Sequence, residues 1–436
     1  MSEAPVEGGR RVALALEPTA IALLLAAVAT QWAHLPDWRL ELGRFQALGL
    51  VAFAAYALAV ARRRQWAALP RGGVFVVITA LVLRVALLPV TPTLSDDVYR
   101  YAWEGRVLAQ GLSPYAHAPA DTALAALRDA EVYPLVNHRE LSAIYPPFAE
   151  AGFALVAKVW YSLLGFKLWV ILHDLVLVGV LAWWSARRGG SAWDAIVYAW
   201  NPLVVSEYAG SAHHDPTGIV WLVLALALAE RRALFSAGSL VAAVMVKLVA
   251  LPAWPFVARD WPRRVQVVGT LVLVAALAGY AWLTRGPASG LDAYAAYWRH
   301  NDALFGPLAA LVGESRVRMV ALVLIAALGV VLFVKRVASA DAVRALLRAG
   351  LLLGPVVHPW YLGWVLALEC GSPSWAWLAL SCTVTLGYGT FAAPAEGRAY
   401  HPAGLVRLFE FGVPALIAIG FAITAWMRRR RVRTAA

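Results

Sequence analysis

Cysteine is nearly missing from this chain. Its two examples in 436 residues, Cys370 and Cys382, lie in apolar stretches with neither Cys-x-x-Cys nor Cys/His ligand spacing, which excludes a disulfide-built secreted domain. Charge is thin as well. Asp, Glu, Lys and Arg make up 15% of the residues, where soluble domains carry about 25%, so a soluble cytosolic enzyme and a disordered tail are both excluded. No Gly-rich phosphate loop, Gly-x-Ser-x-Gly or His-Glu-x-x-His occurs, leaving nucleotide-dependent and zinc-hydrolase chemistry without support. Internal repeats and low-complexity tracts are absent too.

What the chain has is apolar length. With 61% hydrophobic residues and a mean hydropathy of +0.66, it holds enough for about a dozen membrane spans of ~20 residues plus one or two ordered loops. Apolar runs fall near 12 to 32, 43 to 60, 74 to 90, 148 to 164, 168 to 186, 193 to 209, 216 to 229, 234 to 257, 264 to 283, 317 to 335, 344 to 369, 373 to 391 and 405 to 427, about thirteen spans. A formal charge of +12 does not point to nucleic acid, because the basic residues punctuate the ends of these runs. Arg10 and Arg11, Arg62 to Arg64, Arg187 and Arg188, Arg231 and Arg232, Arg263 and Arg264, Lys335 and Arg336, and Arg428 to Arg431 form the positive-inside pattern. The first run carries a cleavage-like Ala27-Val28-Ala29, but further spans follow at once and it reads as an uncleaved helix. The first three spans alternate so that the segment after residue 90 emerges outside. Beyond that, alternation holds only if the runs around Lys247 and Pro359 fold as pairs of shorter helices. The chain divides into N-terminal membrane helices (1–73), a membrane core (74–370), and C-terminal helices with a basic cytoplasmic tail (371–436).

Two segments are too long and polar to be simple connections: 91–147 and 284–316. In the first, Val98, Tyr101, Ala102, Gly105, Leu108 and Ala109 make one apolar stripe at helical spacing, predicting an amphipathic helix on the membrane surface. Asp121 is placed to cap a second helix carrying Leu124 and Leu127. Ser95-Asp96-Asp97-Val98-Tyr99-Arg100 is the sharpest polar feature. Ser95 can cap a helix on which Asp97, Arg100 and Glu104 share a face; the carboxylates either serve a reaction as base or ion ligand, or merely favour the helix N-terminus through its dipole.

Other polar groups interrupt apolar runs. His213-His214-Asp215 joins two of them, although adjacent side chains rarely point at one metal ion. Lys247 stands within Val241 to Leu251, where a charge costs ~3 kcal/mol unless it pairs or faces a cavity; its partner is either an anionic phosphate or a structural counter-ion. Glu207 and Asp174 pose the same question near the ends of their runs or beside His173. His358-Pro359-Trp360-Tyr361, with Trp364, makes an aromatic, hydrogen-bonding lip, as do Tyr297, Trp298, Arg299 and His300 in the second outer loop. Most of the 20 tryptophans read as interfacial belt residues.

The stretches Ser95 to Arg106, Gly111-Leu112-Ser113-Pro114-Tyr115, Asn137-His138-Arg139-Glu140-Leu141 and Ile144-Tyr145-Pro146-Pro147 closely resemble the first outer loop of bacterial polyprenol-phosphate-mannose-dependent mannosyltransferases. These are integral-membrane GT-C glycosyltransferases, similar to the first mannosyltransferase of glycosylphosphatidylinositol assembly. The resemblance runs on through Ala199-Trp200-Asn201-Pro202, Gly210 to Asp215, Lys247 and Pro355 to Tyr361, covering about residues 74 to 370. It implies an all-α, polytopic, GT-C-like fold in the bacterial cytoplasmic membrane with an outward-facing site. It further implies transfer of a hexose, mannose first among them, from a polyprenyl-phosphate-sugar donor to a lipid-linked or glycan acceptor by one inverting displacement.

By the same resemblance Asp96 or Asp97 is the base, Asp96 being favoured with Asp97 orienting it. The family often has Asp-x-Asp or Asp-Glu here, and adjacent aspartates depart from that pattern. Arg100, Lys247, Arg299 and His358 are the expected partners of the donor phosphate. Tyr99, Glu104, Tyr145, His213, His214, Asp215, Trp360 and Tyr361 are expected at the substrates. No organic cofactor or metal ligand set is implied, and a divalent cation held by the aspartates stays open. The expected partners are the lipid-linked donor, the acceptor and membrane lipid, without nucleic acid. The competing reading is a transporter or flippase for a lipid-linked sugar, which would need neither paired carboxylates nor an ordered outer loop, and would show related halves.

Overall fold

The computed structural model describes residues 4–286, 288–392 and 404–435. Side chains of 4–13, 391–392, 429 and 431–435 lie outside that description, and with them the basic pair Arg10-Arg11 and part of the Arg428 to Arg431 cluster. Among the described residues the fold is all-helical, its one β-type contact being an isolated parallel bridge between His300 and Val356.

The chain opens with α1 (Ala4–Ala33), α2 (Leu42–Arg62) and α3 (Gly72–Ala86). Helix α4 (Asp97–Ala109) belongs to the segment 91–147 expected as the first outer loop, and α5 (Pro147–Trp160) and α6 (Leu163–Arg187) follow. Short pieces come next: α7 (Ile196–Ala199), α8 (Pro202–Val205) and a π-helical turn, Ser206–Gly210. Then come α9 (Pro216–Leu228), α10 (Ala233–Val246), α11 (Trp254–Ala258), α12 (Arg263–Leu283), α13 (Gly290–Tyr297) and α14 (Phe305–Val312). The chain ends with α15 (Glu314–Val334), α16 (Ser339–Leu353), α17 (Leu362–Leu366), α18 (Trp375–Thr383), α19 (Gly389–Ala392) and α20 (Gly404–Ala435). Six described helices are long and apolar enough to cross a bilayer, within α1, α2, α6, α12, α15 and α20. Exposed leucines such as Leu271, Leu322 and Leu416 on these helices face where lipid chains would pack.

Several of the apolar runs are interrupted. The run 193 to 209 is broken at Asn201-Pro202, where the Asn201 carboxamide accepts the Leu203 N–H (3.0 Å) and restarts the helix as α8. The run 234 to 257 breaks where Lys247 turns extended (φ −156°, ψ 124°) between α10 and a 3-10 segment, Leu248–Ala253. The run 344 to 369 opens after α16 into an extended stretch ending at Pro359. Both breaks thus fall at the lysine and the proline from which shorter helices were expected.

Several buried charges inside the bundle are held by polar partners. Arg84 Nε donates to Asp174 Oδ2 (2.8 Å) with both side chains fully buried, and Tyr198 donates to the other Asp174 oxygen (2.7 Å). Asp174 is accordingly part of a structural ion pair. Lys167 Nζ donates to the Leu87 and Val90 carbonyls (2.7 and 2.6 Å), satisfying the orphan C-terminus of α3.

The first outer loop differs most from expectation. Helix α4 does not lie on a surface with one apolar stripe: Val98, Tyr101, Ala102 and Gly105 are buried, but so are Tyr99, Arg100, Trp103 and Glu104 on its other sides. Loop residues 110–146 cover the face that amphipathicity alone would leave wet. They are fastened by Arg100, whose guanidinium donates to the carbonyls of Asn137, His138 and Leu141 (3.1, 2.8 and 2.6 Å) and to Glu104 Oε1 (2.5 Å). Asp121 does cap as expected, accepting the Ala123 N–H (2.9 Å), but the helix it starts is the 3-10 turn Thr122–Leu127. Behind α4, Gly105 meets α5 so closely that a Cβ there would stand 2.4 Å from the Phe153 carbonyl oxygen. Gly105→Ala is expected to destabilise the protein by about 2 kcal/mol, read as a fall in the thermal midpoint of detergent-purified protein.

Candidate active site

Three breaks in the membrane bundle and the start of α4 converge on one buried polar chamber. The π-turn widens the backbone after α8, with Ser211 N–H bonding back to Ser206 O (2.9 Å), and Ala212 then takes a left-handed conformation (φ 60°). Such strain in a non-glycine residue is kept where surroundings impose it, often at a functional site. It sends the consecutive side chains His213, His214 and Asp215, all fully buried, in different directions.

Asp215, opening α9, accepts from Lys247 Nζ (2.7 Å) and Trp364 Nε1 (2.6 Å) on the same oxygen, Oδ1. Lys247 also sits 4.2 Å from the centroid of the Tyr361 ring, whose hydroxyl lies 3.1 Å from that of Tyr294. His213 stacks on Trp360 (3.7 Å, 12°), and the row of rings continues through His358 (4.3 Å) to His300 (4.6 Å). Trp360 is held by the Tyr208 hydroxyl on its carbonyl (2.9 Å), and Tyr208 fits only because residue 363 is glycine: a Cβ would stand 1.7 Å from its hydroxyl oxygen. The His300 backbone pairs with Pro355 and Val357 (both 2.9 Å), tying the second outer loop to the break before Pro359.

Asp97 enters this chamber from α4, its Oδ2 3.9 Å from His213 Nε2. Asp96 does not. It is exposed on the opposite side of the peptide unit, lining with Arg39, Tyr99 and Arg139 an outer cavity of about 460 Å³. The Asn137 amide touches both carboxylates, donating to Asp96 Oδ1 (2.7 Å) and reaching Asp97 Oδ1 (3.3 Å). Burial raises the Asp97 carboxyl from its ordinary 3.8 to about 7; neighbouring Asp96 adds to the rise and Lys247 opposes it. Ser95 contributes a weaker contact, its hydroxyl accepting the Asp97 N–H (3.3 Å).

Asp97, His213, Asp215, Lys247, Trp360 and Tyr361 are thus brought together, with His358 next to Trp360. Five expected residues are not, Asp96 being the first. Arg100 and Glu104 bind each other and the loop, Tyr99 lines the outer cavity, and Arg299 pairs with Asp302 (2.6 Å) and Glu314 (2.8 Å). His214 stands in an aromatic box of Tyr101, Tyr145 and Phe153, centroids 4.7 to 5.1 Å away, which makes Tyr145 and His214 wall rather than lining. Sequence reasoning assigned no role to Asn137 or Tyr294, which nothing but their place in the fold distinguishes. It touched Glu207 only lightly, though an acid inside the apolar run Leu203 to Ala209 was the available signal.

A group of polar atoms without a hydrogen-bond partner among the described residues lies here: Asp215 Oδ2, Ser211 Oγ, His358 Nδ1, both His213 ring nitrogens and both Glu207 carboxylate oxygens. Buried polar groups are nearly always satisfied, so such a cluster marks a place built for a polar ligand. Among the described residues, no three His, Cys, Asp or Glu side chains stand in an arrangement that could hold a metal ion.

The fold and chamber define a polytopic membrane protein in which the segment 91–147 and the helix breaks bring Asp97, His213, Asp215 and Lys247 together. Residues 13–263, more than half of the chain, match the sequence family described as alpha-(1->6)-mannopyranosyltransferase, N-terminal domain, and the chain belongs to that family of GT-C mannosyltransferases. It is 27% identical over 202 residues to alpha-(1->6)-mannopyranosyltransferase A of Mycobacterium tuberculosis, a match spanning 43% of this chain and 37% of that protein's length. No solved structure matches.

Proposed function

We propose that the chain transfers mannose from a polyprenyl-phosphate-mannose donor to a lipid-linked or glycan acceptor at the outer face of the cytoplasmic membrane, by a single inverting displacement. The observation that carries this reading is the convergence of Asp97, from the outer loop, and Lys247, from a broken membrane helix, on one buried chamber with unpartnered polar atoms. Asp97, rather than the Asp96 favoured from sequence, faces the chamber and is the proposed base. It takes the proton of the acceptor hydroxyl while that oxygen bonds to the anomeric carbon, and the bond from that carbon to the phosphate oxygen breaks. Lys247 and His358 are the proposed partners of the phosphate, which leaves with the bonding electron pair, and Tyr361 is the proposed aromatic contact of the sugar. The outer cavity beside Asp96 is the proposed approach of the acceptor. Transport is not favoured, since the family is one of transferases.

The test is radiolabelled transfer in membranes lacking polyprenyl-phosphate-mannose synthase, supplied with the lipid-linked donor or with GDP-mannose. Transfer from the lipid donor alone is the expected result; transfer from neither overturns the reading. A parallel assay with EDTA and magnesium add-back decides whether the aspartates work with a divalent cation.

A further inference from the structure

The chamber contains an acid that the proposed displacement does not use. Glu207 sits on the π-turn, 1% exposed, with its Oε2 2.9 Å from His213 Nδ1. On the other side of the same imidazole, Nε2 is 3.9 Å from Asp97 Oδ2. The ring itself is pinned flat against Trp360. A buried carboxylate, an imidazole and a second carboxylate therefore stand in a row. The 2.9 Å contact is off the line of a hydrogen bond, as catalytic contacts often are before substrate tightens them.

Resting on the proposed role of Asp97, we infer that His213 and Glu207 form a proton relay behind the base. Glu207 holds the proton of His213 on Nδ1, which leaves the Nε2 lone pair toward Asp97. When Asp97 has taken the acceptor's proton, it passes that proton to Nε2, and the imidazolium formed is balanced by Glu207. Asp97 is thereby ionised again while the glycosidic bond completes. After the products leave, the proton returns through Asp97 to water, to which 24% of the Asp97 side chain is open. Burial first, and Lys247 second, disfavour a positive charge on His213, so the scheme requires the Glu207 carboxylate to offset both while the proton is held there. His213 and Glu207 are positioning residues in this scheme, acting through Asp97.

The experiment is a double-mutant cycle in detergent-purified full-length protein, with Glu207→Gln, His213→Ala and both together, assayed with polyprenyl-phosphate-mannose. Glu207→Gln is expected to lower kcat about 30-fold and His213→Ala about 100-fold, with the donor KM changing less than about twofold. The double variant is expected to be no slower than His213→Ala alone, because removing the ring already disconnects Glu207. Added imidazole is expected to restore His213→Ala, whereas pyrazole, of the same size but scarcely basic, is not.

Multiplicative losses in the double variant, or rescue by both rings or by neither, overturn the relay. If His213→Ala does not accumulate, His213→Gln replaces it in the cycle. Asp97→Asn separates the two levels of the argument: an active Asp97→Asn sinks the proposed function itself, whereas an inactive one beside an additive cycle sinks the relay alone.

Discussion

Asp97→Asn is expected to lower kcat by about a thousandfold while making the protein more resistant to heat. Both effects have one cause. The fold raises the Asp97 carboxyl from 3.8 to about 7 through burial first and the nearby Asp96 second, so the ionised form that the reaction needs is the form the fold disfavours. Below about pH 4 the group is protonated whether the chain is folded or not, and it costs nothing. Between there and about pH 7 the unfolded chain releases the proton and the folded chain keeps it, so stability falls as pH rises; above pH 7 the loss is complete and constant. The asparagine variant escapes that loss. Its advantage in thermal midpoint is expected to grow from pH 4 to pH 7 and then level off. Wild-type kcat is expected to climb over the upper part of the same range, with an apparent pKa near 7. A variant equally stable at pH 5 and pH 8 relative to wild type would separate Asp97 from the chamber's electrostatics.

Lys247→Met is expected to cost both stability and transfer. It removes the ammonium proposed for the leaving phosphate and leaves Asp215, fully buried, with Trp364 as its remaining hydrogen-bond donor on Oδ1. Breaking one partner of such a pair costs about 3 kcal/mol. Adding Asp215→Asn removes the stranded charge and is expected to return most of the thermal stability. Transfer is not expected to return with it. Activity should stay down by at least about a hundredfold in the double variant, since neither of the substituted side chains carries a charge to balance the phosphate. Recovery of both stability and activity would make Lys247 a purely structural counter-ion.

The bundle was legible because its signals are local. A lysine inside an apolar run and a proline after a histidine announce broken helices whatever surrounds them, and both breaks formed where the sequence put them. An aspartate ahead of Thr122 announces a cap in the same way. What failed was anything depending on a cover supplied from elsewhere. The stripe on α4 gives its period, but the buried state of Arg100 comes from residues 137–141, about 40 positions further on. Arg299 likewise reads as a spare cation until Asp302 and Glu314 close around it. Adjacent histidines look equivalent in a string of letters. Only the left-handed Ala212 backbone separates His213, which meets Asp97, from His214, which the aromatic box encloses. The family match ends at residue 263, so Trp360, Tyr361 and Trp364, which complete the chamber, lie beyond it.

The single Asn137 amide that touches Asp96 and Asp97 together stands between the open cavity and the buried chamber. Asp96 is exposed, whereas Asp97 is largely covered by the protein. On the proposed reading the two products part along that line: the lengthened glycan is drawn toward the aqueous cavity, while the spent lipid phosphate stays with the hydrocarbon. Solubility then sorts the products as they form, and the direction of the reaction is helped by where each one dissolves as well as by the bond that is broken.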